Sequence, residues 1–290
     1  MTSDRDFNFD QRDFEAVRRL IHLRAGINLS EGKANLVYSR LARRLRALGL
    51  KEFSAYLRYL DANEDELEHF INALTTNHTS FFREPHHFKT LAEFAEKRRR
   101  QGQGIHLWCA AASTGEEPWS LAMTLVEAFG TWTPPVKILA TDIDSQALNH
   151  ARQAVYTLER LAGVSPERRK QFFQKGKGAN LGKARVIPDL QRLVEFERLN
   201  LLDQQWTIPG PFDVIFCRNV MIYFNKPTQL KILERMVEQL KPDGLYFAGH
   251  SESFIHAGHL VRLVAKSTYQ LAGTEPRDLR SEQSSGKSNA

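Results

Sequence analysis

The second half of the chain alternates short apolar segments with amphipathic ones, and this alternation limits the possible folds more than any other feature. From about residue 105, the predicted strands are IHLWCA, VKILATDID, LVEFERLNLL, FDVIFCRNVMIYF and GLYFAGHS. Between them, PWSLAMTLVEAF, SQALNHARQA and TQLKILERMVEQL have the apolar spacing of helices. Strands that alternate with helices form a mostly parallel sheet covered on both faces. The sequence therefore predicts an α/β domain with a Rossmann-like sheet.

One long stretch does not fit this alternation. Residues 155–192 carry three glycines among basic residues, Gly176, Gly178 and Gly182. Because a loop of this length is uncommon in a compact domain, we predict a small inserted β-subdomain with its own hairpin at about 155–195. Nearer the end of the chain, KPDG is predicted to stop the last helix and turn the chain. LVRLVAKSTYQLAG is expected to supply one or two final strands.

The first 72 residues have the pattern of a small all-helical domain. In FEAVRRLIHLRAGINL the apolar residues recur mostly every three or four positions, and Gly26 is a predicted helix stop. Residues 11–60 contain 11 Lys and Arg against 4 Asp and Glu, a charge of +7, while the whole chain carries +6. This excess predicts an acidic partner, such as nucleic acid, a membrane surface or an acidic protein. Residues 73–90 are a predicted linker that contributes to the site, and residues 91–273 the α/β domain.

The remaining features are those of a soluble cytoplasmic protein. No apolar stretch reaches the ~20 residues of a membrane span, and the segment MTSDRDFNFDQRDF lacks the apolar core of a signal peptide. The two cysteines, Cys109 and Cys217, are too few for a disulfide framework. We expect a monomer without membrane insertion, and a disordered tail at 274–290.

Polar segments at the ends of four predicted strands mark a candidate site. These segments are CAAASTGEEP, TDID, LNLL and FCRN, and ligands of a doubly wound sheet bind beyond the carboxyl ends of its strands. In TDID, Asp142 or Asp144 could accept hydrogen bonds from ribose hydroxyls, while a helix cap is the alternative role for one of them. Arg218 and Asn219 are polar residues at the end of an apolar strand, and Tyr223 lies just beyond them.

The loop CAAASTGEEP narrows the class of ligand. A pyrophosphate needs a glycine-rich turn without acids nearby, whereas this loop has only Gly115, followed by Glu116 and Glu117. One of these acids suits the dipole at the helix start. A cofactor with a ribose, an adenine, positive charge and no phosphate fits better, and S-adenosylmethionine is such a molecule.

The segment NALTTNHTSFFREPHHF joins the two predicted domains. It places Arg83 and several short polar side chains where a site between the domains could be closed, although an ordinary linker with a salt-bridged arginine is the alternative. His86 and His87 could suggest a metal site. Because adjacent residues of a helix face different sides and no cysteine cluster supports them, the sequence predicts no metal.

Taken together, these motifs resemble one protein family. TNHTSFFRE, AAASTGEEPWS, ATDID, NLL and IFCRNVMIYF, followed by LKPDGLYFAGHSESF, resemble the CheR family over about residues 10 to 272. These bacterial chemotaxis methyltransferases use S-adenosylmethionine to esterify receptor glutamates. The resemblance implies a helical N-terminal domain, a linker and a Rossmann-like class I methyltransferase domain with an inserted β-subdomain. It also implies S-adenosylhomocysteine as product, methyl-accepting chemotaxis receptors as partners and recruitment to receptor arrays.

The resemblance also assigns roles to individual residues. The positions that match cofactor-binding residues are Asn77, Thr79, Arg83, Glu117, Asp142, Asn200, Leu201, Cys217, Arg218 and Asn219. Arg83 and Tyr223 match the residues nearest the transferred methyl group and are the predicted catalytic residues. The basic helix could read the acidic helical bundle of a receptor through Arg40, Arg43, Arg44 and Arg46, with a solvated basic face as the alternative. In some relatives the β-subdomain captures a receptor-tail pentapeptide as an added strand, and GKGANLG resembles their loop.

Two other functions compete with this interpretation. A methyltransferase for nucleic acid or another small substrate would share the fold. For nucleic acid, an Asn/Asp-Pro-Pro-aromatic motif is needed where the chain has Arg218-Asn219-Val220, so we expect no nucleic-acid partner. A non-catalytic scaffold that binds S-adenosylmethionine is the other alternative, and the presence of both Arg83 and Tyr223 argues against it.

Overall fold

Residues 6–273 are described by the structure, a computed structural model. The predicted tail at 274–290 lies outside the described residues. The described part begins with five helices, α1 (Gln11–Ala25), α2 (Ala34–Leu48), α3 (Phe53–Ala62), α4 (Glu64–Leu74) and α5 (Pro85–Arg100). Of these, α1 to α4 share one apolar core, so the predicted helical N-terminal domain is confirmed.

Local signals determine both ends of α1. The Asp10 carboxylate accepts hydrogen bonds from the N–H groups of Arg12 and Asp13, and the Asp13 carboxylate accepts one from the N–H of Asp10. This reciprocal capping box satisfies donors that a helix start leaves free. At the other end, Gly26 has a φ of 68° and stops the helix as predicted.

The remaining elements alternate along the chain. They are β1 (Ile105–Cys109), α6 (Glu116–Phe129), β2 (Val136–Asp142), α7 (Ser145–Gln153), β3 (Val155–Thr157), α8 (Pro166–Phe172), β4 (Phe173–Lys175), β5 (Lys183–Val186), α9 (Pro188–Gln191), β6 (Val194–Arg198), β7 (Phe212–Cys217), α10 (Lys226–Glu238), β8 (Leu240–Ala248), β9 (Val261–Ala265) and β10 (Thr268–Leu271). No helix within residues 6–273 combines the length and apolarity needed to cross a bilayer.

Seven of these strands form the central sheet, in the order β6-β2-β1-β7-β8-β10-β9. The first five are parallel, and β10 runs antiparallel to both of its neighbours. Successive residues of β1 belong to different apolar cores: Leu107 packs with side chains of α5 and α6, and Trp108 with side chains of α10. Helices therefore cover both faces, and the predicted Rossmann-like sheet is confirmed.

The predicted turn at KPDG is wrong, because residues 241–244 lie inside β8. Pairing between β7 and β8 shifts from Phe212 opposite Leu240 to Val214 opposite Leu245, so the extra residues form a bulge. An ion pair stabilises the bulge, because Lys241 Nζ lies 2.9 Å from the buried carboxylate of Asp213. Tertiary ion pairs thus override local turn-forming residues.

The stretch that breaks the alternation forms a second, antiparallel sheet in the order β3-β5-β4. Strands β4 and β5 make the predicted hairpin. This sheet is attached to the large domain by the Tyr156 hydroxyl, which donates to the carbonyl oxygen of Thr114 at 2.7 Å. The inserted β-subdomain is therefore confirmed as part of the fold, while the exact domain boundaries stay a prediction.

Candidate active site

A cavity of about 290 Å³ lies between the helical domain and the carboxyl ends of β1, β2 and β7. Its walls come from the loop after α1, the linker before α5 and the three strand ends. The predicted site residues that line it are Asn77, Thr79, Arg83, Glu117, Asp142, Arg218, Asn219 and Tyr223. Residues from four separate sequence motifs therefore meet in one place.

Three predicted cofactor-binding residues do not line this cavity. The side-chain amide of Asn200 donates to the carbonyl oxygen of Arg24 at 2.8 Å and borders a neighbouring groove. Leu201 and Cys217 are buried in the apolar core that includes α10. The role of these three residues stays a prediction that rests on the resemblance alone.

The two aspartates at the end of β2 have different roles. Asp144 caps α7, because its carboxylate accepts from the N–H groups of Gln146 and Ala147, both at 3.0 Å. It also accepts from the side chain of Asn77 at 2.7 Å, which ties the linker to this edge of the sheet. Asp142 faces the cavity and accepts from the N–H of Ser113 at 2.8 Å. Asp142 is therefore the acid that can receive hydroxyl donors of a ligand.

We predict that cofactor affinity falls as the pH drops below 6. Burial raises the pKa of Asp142 to about 6, and a hydroxyl donor binds the carboxylate form better than the protonated form. The hydrogen bonds to the Asp142 carboxylate thus contribute to cofactor binding above its pKa and are lost below it. Binding should therefore be roughly tenfold weaker at pH 5 than at pH 7. Calorimetric titration with S-adenosylhomocysteine measures this, and the Asp142→Asn variant should lose most of the dependence. An equally steep dependence in that variant would exclude Asp142 as the titrating group.

The two acids of the glycine-poor loop also differ. Glu116, the first residue of α6, is buried and pairs with Arg160 of the inserted subdomain. Glu117 lines the cavity and pairs with Arg218. Gly115 has a φ of 96°, and a Cβ there would lie 2.6 Å from the Tyr156 hydroxyl, so only glycine fits this turn. The loop therefore turns one acid towards the subdomain and one towards the cavity.

Arg218 forms a buried cluster with two carboxylates behind the cavity. Its Nη1 donates to Glu117 Oε2 at 2.6 Å, and its Nη2 donates to the carbonyl oxygen of Arg83 at 2.6 Å. The same Nη2 lies 3.3 Å from Glu84 Oε2. Burial raises the pKa of Glu117, and the positive charge of Arg218 opposes that rise. Arg218 therefore holds the end of β7, the loop after β1 and the linker together.

Left-handed backbone conformations are concentrated around the cavity. Six non-glycine residues of the described chain have φ values between 49° and 59°, and four of them lie in the linker or the strand-end loops beside the cavity: Phe82, Glu84, Ser113 and Asn219. Each costs roughly 1–2 kcal/mol and persists only where surrounding contacts enforce it. The N–H of Phe82, for example, donates to the Ser120 hydroxyl at 3.0 Å. Arg83 lies between two such residues, so its position is closely determined.

The helical domain takes part directly in the site. The N–H of Asn28, in the loop after α1, donates to the carbonyl oxygen of Tyr223 at 2.9 Å. A Cβ on Gly26 would lie 2.8 Å from the ring of Phe224, so the two domains approach as closely as a glycine allows. The predicted catalytic Tyr223 is therefore positioned by both domains.

Sequence reasoning missed two acids that shape the site. Glu252 is buried and accepts from the N–H groups of Asn219, Met221 and Gly249 at 3.0, 2.8 and 2.5 Å. Glu84 accepts from the N–H of His250 at 3.1 Å. The segment GHSES follows the fifth parallel strand, and its position at that sheet edge was the signal that could have identified Glu252.

The argument against a metal at the paired histidines is geometrically wrong. His86 and His87 lie in the first turn of α5, and their ring centroids are 4.2 Å apart. Both rings turn towards Glu84, the residue that precedes the helix, and one donor atom from each of the three residues lies within 4.8 Å of the others. Helical spacing separates Cα positions, but it does not stop neighbouring side chains from converging at a helix start.

Two family models match the chain. The model described as CheR methyltransferase, all-alpha domain, matches residues 12–75, and the model described as CheR methyltransferase, SAM binding domain, matches residues 77–270. The chain belongs to the CheR methyltransferase family. The predicted family and cofactor are confirmed: this CheR protein uses S-adenosylmethionine.

Curated relatives resemble this CheR chain along most of its length. Chemotaxis protein methyltransferase 2 of Pseudomonas aeruginosa is 54% identical over 269 residues, which cover 93% of this chain and 96% of the relative. The chemotaxis protein methyltransferases of Salmonella typhimurium and Escherichia coli are 51% and 50% identical over 261 residues, covering 89% of this chain and 90% of theirs. The similarity therefore includes both the helical and the α/β domain.

The cavity of this CheR protein suits S-adenosylmethionine chemically. When bound, this cofactor supplies a methyl group on a positively charged sulfonium. The carboxylates of Asp142 and Glu117 both line the cavity, and carboxylates suit a ligand with hydroxyl donors and positive charge. The loop CAAASTGEEP has one glycine and no phosphate cradle, as expected for a ligand without phosphate.

Proposed function

We propose that this CheR protein transfers the methyl group of S-adenosylmethionine to glutamate side chains of chemotaxis receptors and forms methyl esters. One observation carries the proposal: the cavity that suits the cofactor also contains Arg83 and Tyr223. The names of the relatives, chemotaxis protein methyltransferases, support receptors as the substrate. A receptor bound at this opening would present its carboxylate beside both side chains.

The proposed reaction needs alignment rather than a strong base. A glutamate side chain has a pKa of about 4.3 and is already a nucleophilic carboxylate at neutral pH. The protein must hold this carboxylate in line with the methyl group and exclude water. The Arg83 guanidinium donates one hydrogen bond to the carbonyl oxygen of His78 at 3.0 Å. Its other N–H groups can bind an incoming carboxylate. Tyr223 adds a hydroxyl that helps to position it.

The cofactor is assigned to the wall formed by the linker and strand ends. Asp142 receives the ribose hydroxyls, and Asn77 and Thr79 approach from the linker. Glu117, Arg218 and Asn219 lie on the side of β7, where the charged end of the cofactor fits the carboxylate of Glu117. This orientation leaves Arg83 and Tyr223 at the reacting methyl group.

Transfer of radiolabelled methyl groups to receptor-containing membranes tests the proposal. The expected product is labelled receptor whose label is released by mild base, because esters hydrolyse under conditions that leave N-methyl groups intact. Base-stable label would point to another acceptor atom. Absence of any label, with cofactor binding intact, would favour a non-catalytic scaffold. Label in added nucleic acid instead of receptor would support the nucleic-acid alternative.

The basic helix α2 is proposed to dock the receptor, chiefly through Arg43 and Arg46. Arg44 donates twice to Glu66, at 2.9 and 2.6 Å, and Arg40 donates to the carbonyl oxygen of Thr75 at 2.6 Å. These two arginines therefore stabilise the helical domain. Arg43 is exposed, and the pair of Arg46 with Asp6 lies in solvent, where it contributes little.

We predict that Arg43→Glu/Arg46→Glu lowers the initial rate of receptor methylation at least about tenfold at low salt, because it removes electrostatic attraction to an acidic bundle. Added salt should narrow the difference, since it screens exposed charges. Lys97→Glu/Arg99→Glu, an equal charge change at the exposed end of α5, is the control. Wild-type rates in the α2 variant at low salt would contradict docking at this helix.

The inserted subdomain offers a second proposed contact. Strand β4 lies at an edge of the three-stranded sheet, so a receptor-tail peptide can add to it as a further strand. Such tethering raises the local concentration of the methylation sites. Calorimetry with aromatic-containing tail peptides tests this: no heat at high peptide concentration would indicate tail-independent docking. In this proposal the protein is a cytoplasmic monomer recruited to receptor arrays.

A further inference from the structure

Three potential metal ligands converge beside the cavity. The donor atoms come from Glu84, His86 and His87 and lie within 4.8 Å of one another. Glu84 ends the linker, and the two histidines lie in the first turn of α5. Glu84 also pairs with Arg218 behind the cavity, but neither histidine has a role in the proposed cofactor binding or methyl transfer, so their convergence on Glu84 requires its own account.

The tautomer of His87 directs an unprotonated ring nitrogen at the carboxylate of Glu84. Its ring is fully buried, and Nε2 lies 3.3 Å from the carbonyl oxygen of Lys266. Only an N–H can face a carbonyl at that distance, so the neutral ring carries its proton on Nε2 and presents a lone pair at Nδ1. Nδ1 lies 3.5 Å from Glu84 Oε2. Two hydrogen-bond acceptors, His87 Nδ1 and Glu84 Oε2, therefore face each other.

The cluster also contains buried polar atoms that are unsatisfied. His86 Nε2, His87 Nδ1 and Glu84 Oε2 are all buried and have no hydrogen bond with any described residue. Glu84 Oε2 keeps an ion pair with Arg218 Nη2 at 3.3 Å, whereas the two imidazole nitrogens have no hydrogen-bond partner in the described part of the chain. Buried polar atoms in proteins are nearly always satisfied, so these two nitrogens beside a carboxylate indicate a missing positive partner.

We propose that Glu84, His86 and His87 bind a divalent transition-metal ion of the zinc class. Two imidazoles and one carboxylate are a suitable ligand set, and a fourth position remains for water or another ligand. Metal-binding histidines usually donate their second ring N–H to a nearby carbonyl or carboxylate, which fixes the tautomer. The Lys266 carbonyl oxygen does this for His87 and leaves Nδ1 free to bind an ion. His86 is partly exposed although its Nε2 is buried, so the site lies close to solvent.

The surrounding charges permit a cation. Glu84 and Glu117 both lie close to Arg218, so this group of three has one net negative charge. Two further cationic side chains are nearby: Lys266 is exposed and Arg83 is partly exposed, so solvent screens both. The ion would connect the start of α5 with the turn between β9 and β10 through His87 and the Lys266 carbonyl, and would therefore stabilise the fold.

Titration of the metal-free full-length protein with Co²⁺ tests the site without any methyl-transfer assay. We expect about one equivalent to bind per chain, with visible absorption of the intensity typical of four-coordinate cobalt, and Zn²⁺ to displace it. Zn²⁺ should also raise the Tm by several degrees. His86→Ala should weaken binding by more than about tenfold. His259→Ala, which removes an exposed histidine outside the cluster, should bind like wild type.

The proposal is overturned if wild-type protein gives only the weak absorption of hydrated Co²⁺. It is also overturned if a folded His86→Ala variant, verified by circular dichroism, binds as wild type does. Should that variant fail to fold, Glu84→Gln replaces one ligand by an isosteric amide and must likewise lose affinity. Because the readout is metal binding, failure here leaves the methyl-transfer proposal untouched, and failure of methyl transfer leaves this one untouched.

Discussion

Replacing Arg83 by alanine is expected to lower the rate of receptor methylation by about 10²–10³-fold while the protein remains folded. The guanidinium lines the cavity, and its backbone is held between two left-handed residues and by the hydrogen bond from Arg218 to its carbonyl oxygen. Loss of a preorganised cationic donor at a reacting carboxylate has a cost of this order. The backbone contacts survive the substitution, so stability should change little.

The measurement is single-turnover methylation with saturating S-adenosylmethionine, together with calorimetric binding of S-adenosylhomocysteine. If Arg83 orients the receptor carboxylate, methylation falls while product binding stays near wild type. If it orients the cofactor, both fall. Arg99→Ala, at the exposed end of α5, controls for the loss of a positive charge. Near-normal turnover in Arg83→Ala would exclude a catalytic role.

Asp213→Asn is expected to destabilise the protein by about 3 kcal/mol, because the buried Arg98 then keeps only its longer ion pair with Asp243, at 3.2 Å. The Asp213 carboxylate lies 2.7 Å from Arg98 and 2.9 Å from Lys241, and accepts from the N–H of His106 at 2.8 Å. Asp213 is only 2% exposed and Arg98 only 8%. This cluster holds the end of α5, the start of β1 and the bulge of β8 together at the edge of the sheet opposite the cavity.

Thermal unfolding followed by circular dichroism measures this effect, which corresponds to a fall in Tm of roughly 10 °C. Asp189→Asn is the matched control, since the pair of Asp189 with Arg192 is more than half exposed on both sides and contributes little. Equal Tm changes in the two variants would mean that the buried cluster contributes no more to stability than an exposed ion pair.

The fold could be predicted from sequence because its signals are local and repeated. Apolar periodicity identified the helices and parallel strands, and Gly26 marked a helix end by a conformation that glycine adopts easily. KPDG failed as a turn because its charges pair with Asp213 and Arg98, which are distant in sequence. Local propensity cannot anticipate such partners.

The site could be predicted from sequence where a single residue type suits one role, and less well where neighbouring residues suit the same role. Asp142 and Asp144 both suited the cavity, and only the cap of α7 distinguishes them. Glu84 and Glu252 were missed because each acts on backbone N–H groups of distant segments. The convergence of His86 and His87 depends on side-chain rotamers at a helix start, which residue spacing does not report.

The hydrogen bond from Asn28 to the carbonyl oxygen of Tyr223 has a consequence for how such enzymes diverge. Because the loop after α1 borders the cavity, changes in the helical domain alter the surroundings of the cofactor as well as the surface proposed to dock the receptor. Exchange of helical domains between paralogues is therefore expected to change cofactor affinity together with receptor choice. A substitution in this loop is therefore expected to alter cofactor affinity even though it lies outside the methyltransferase domain.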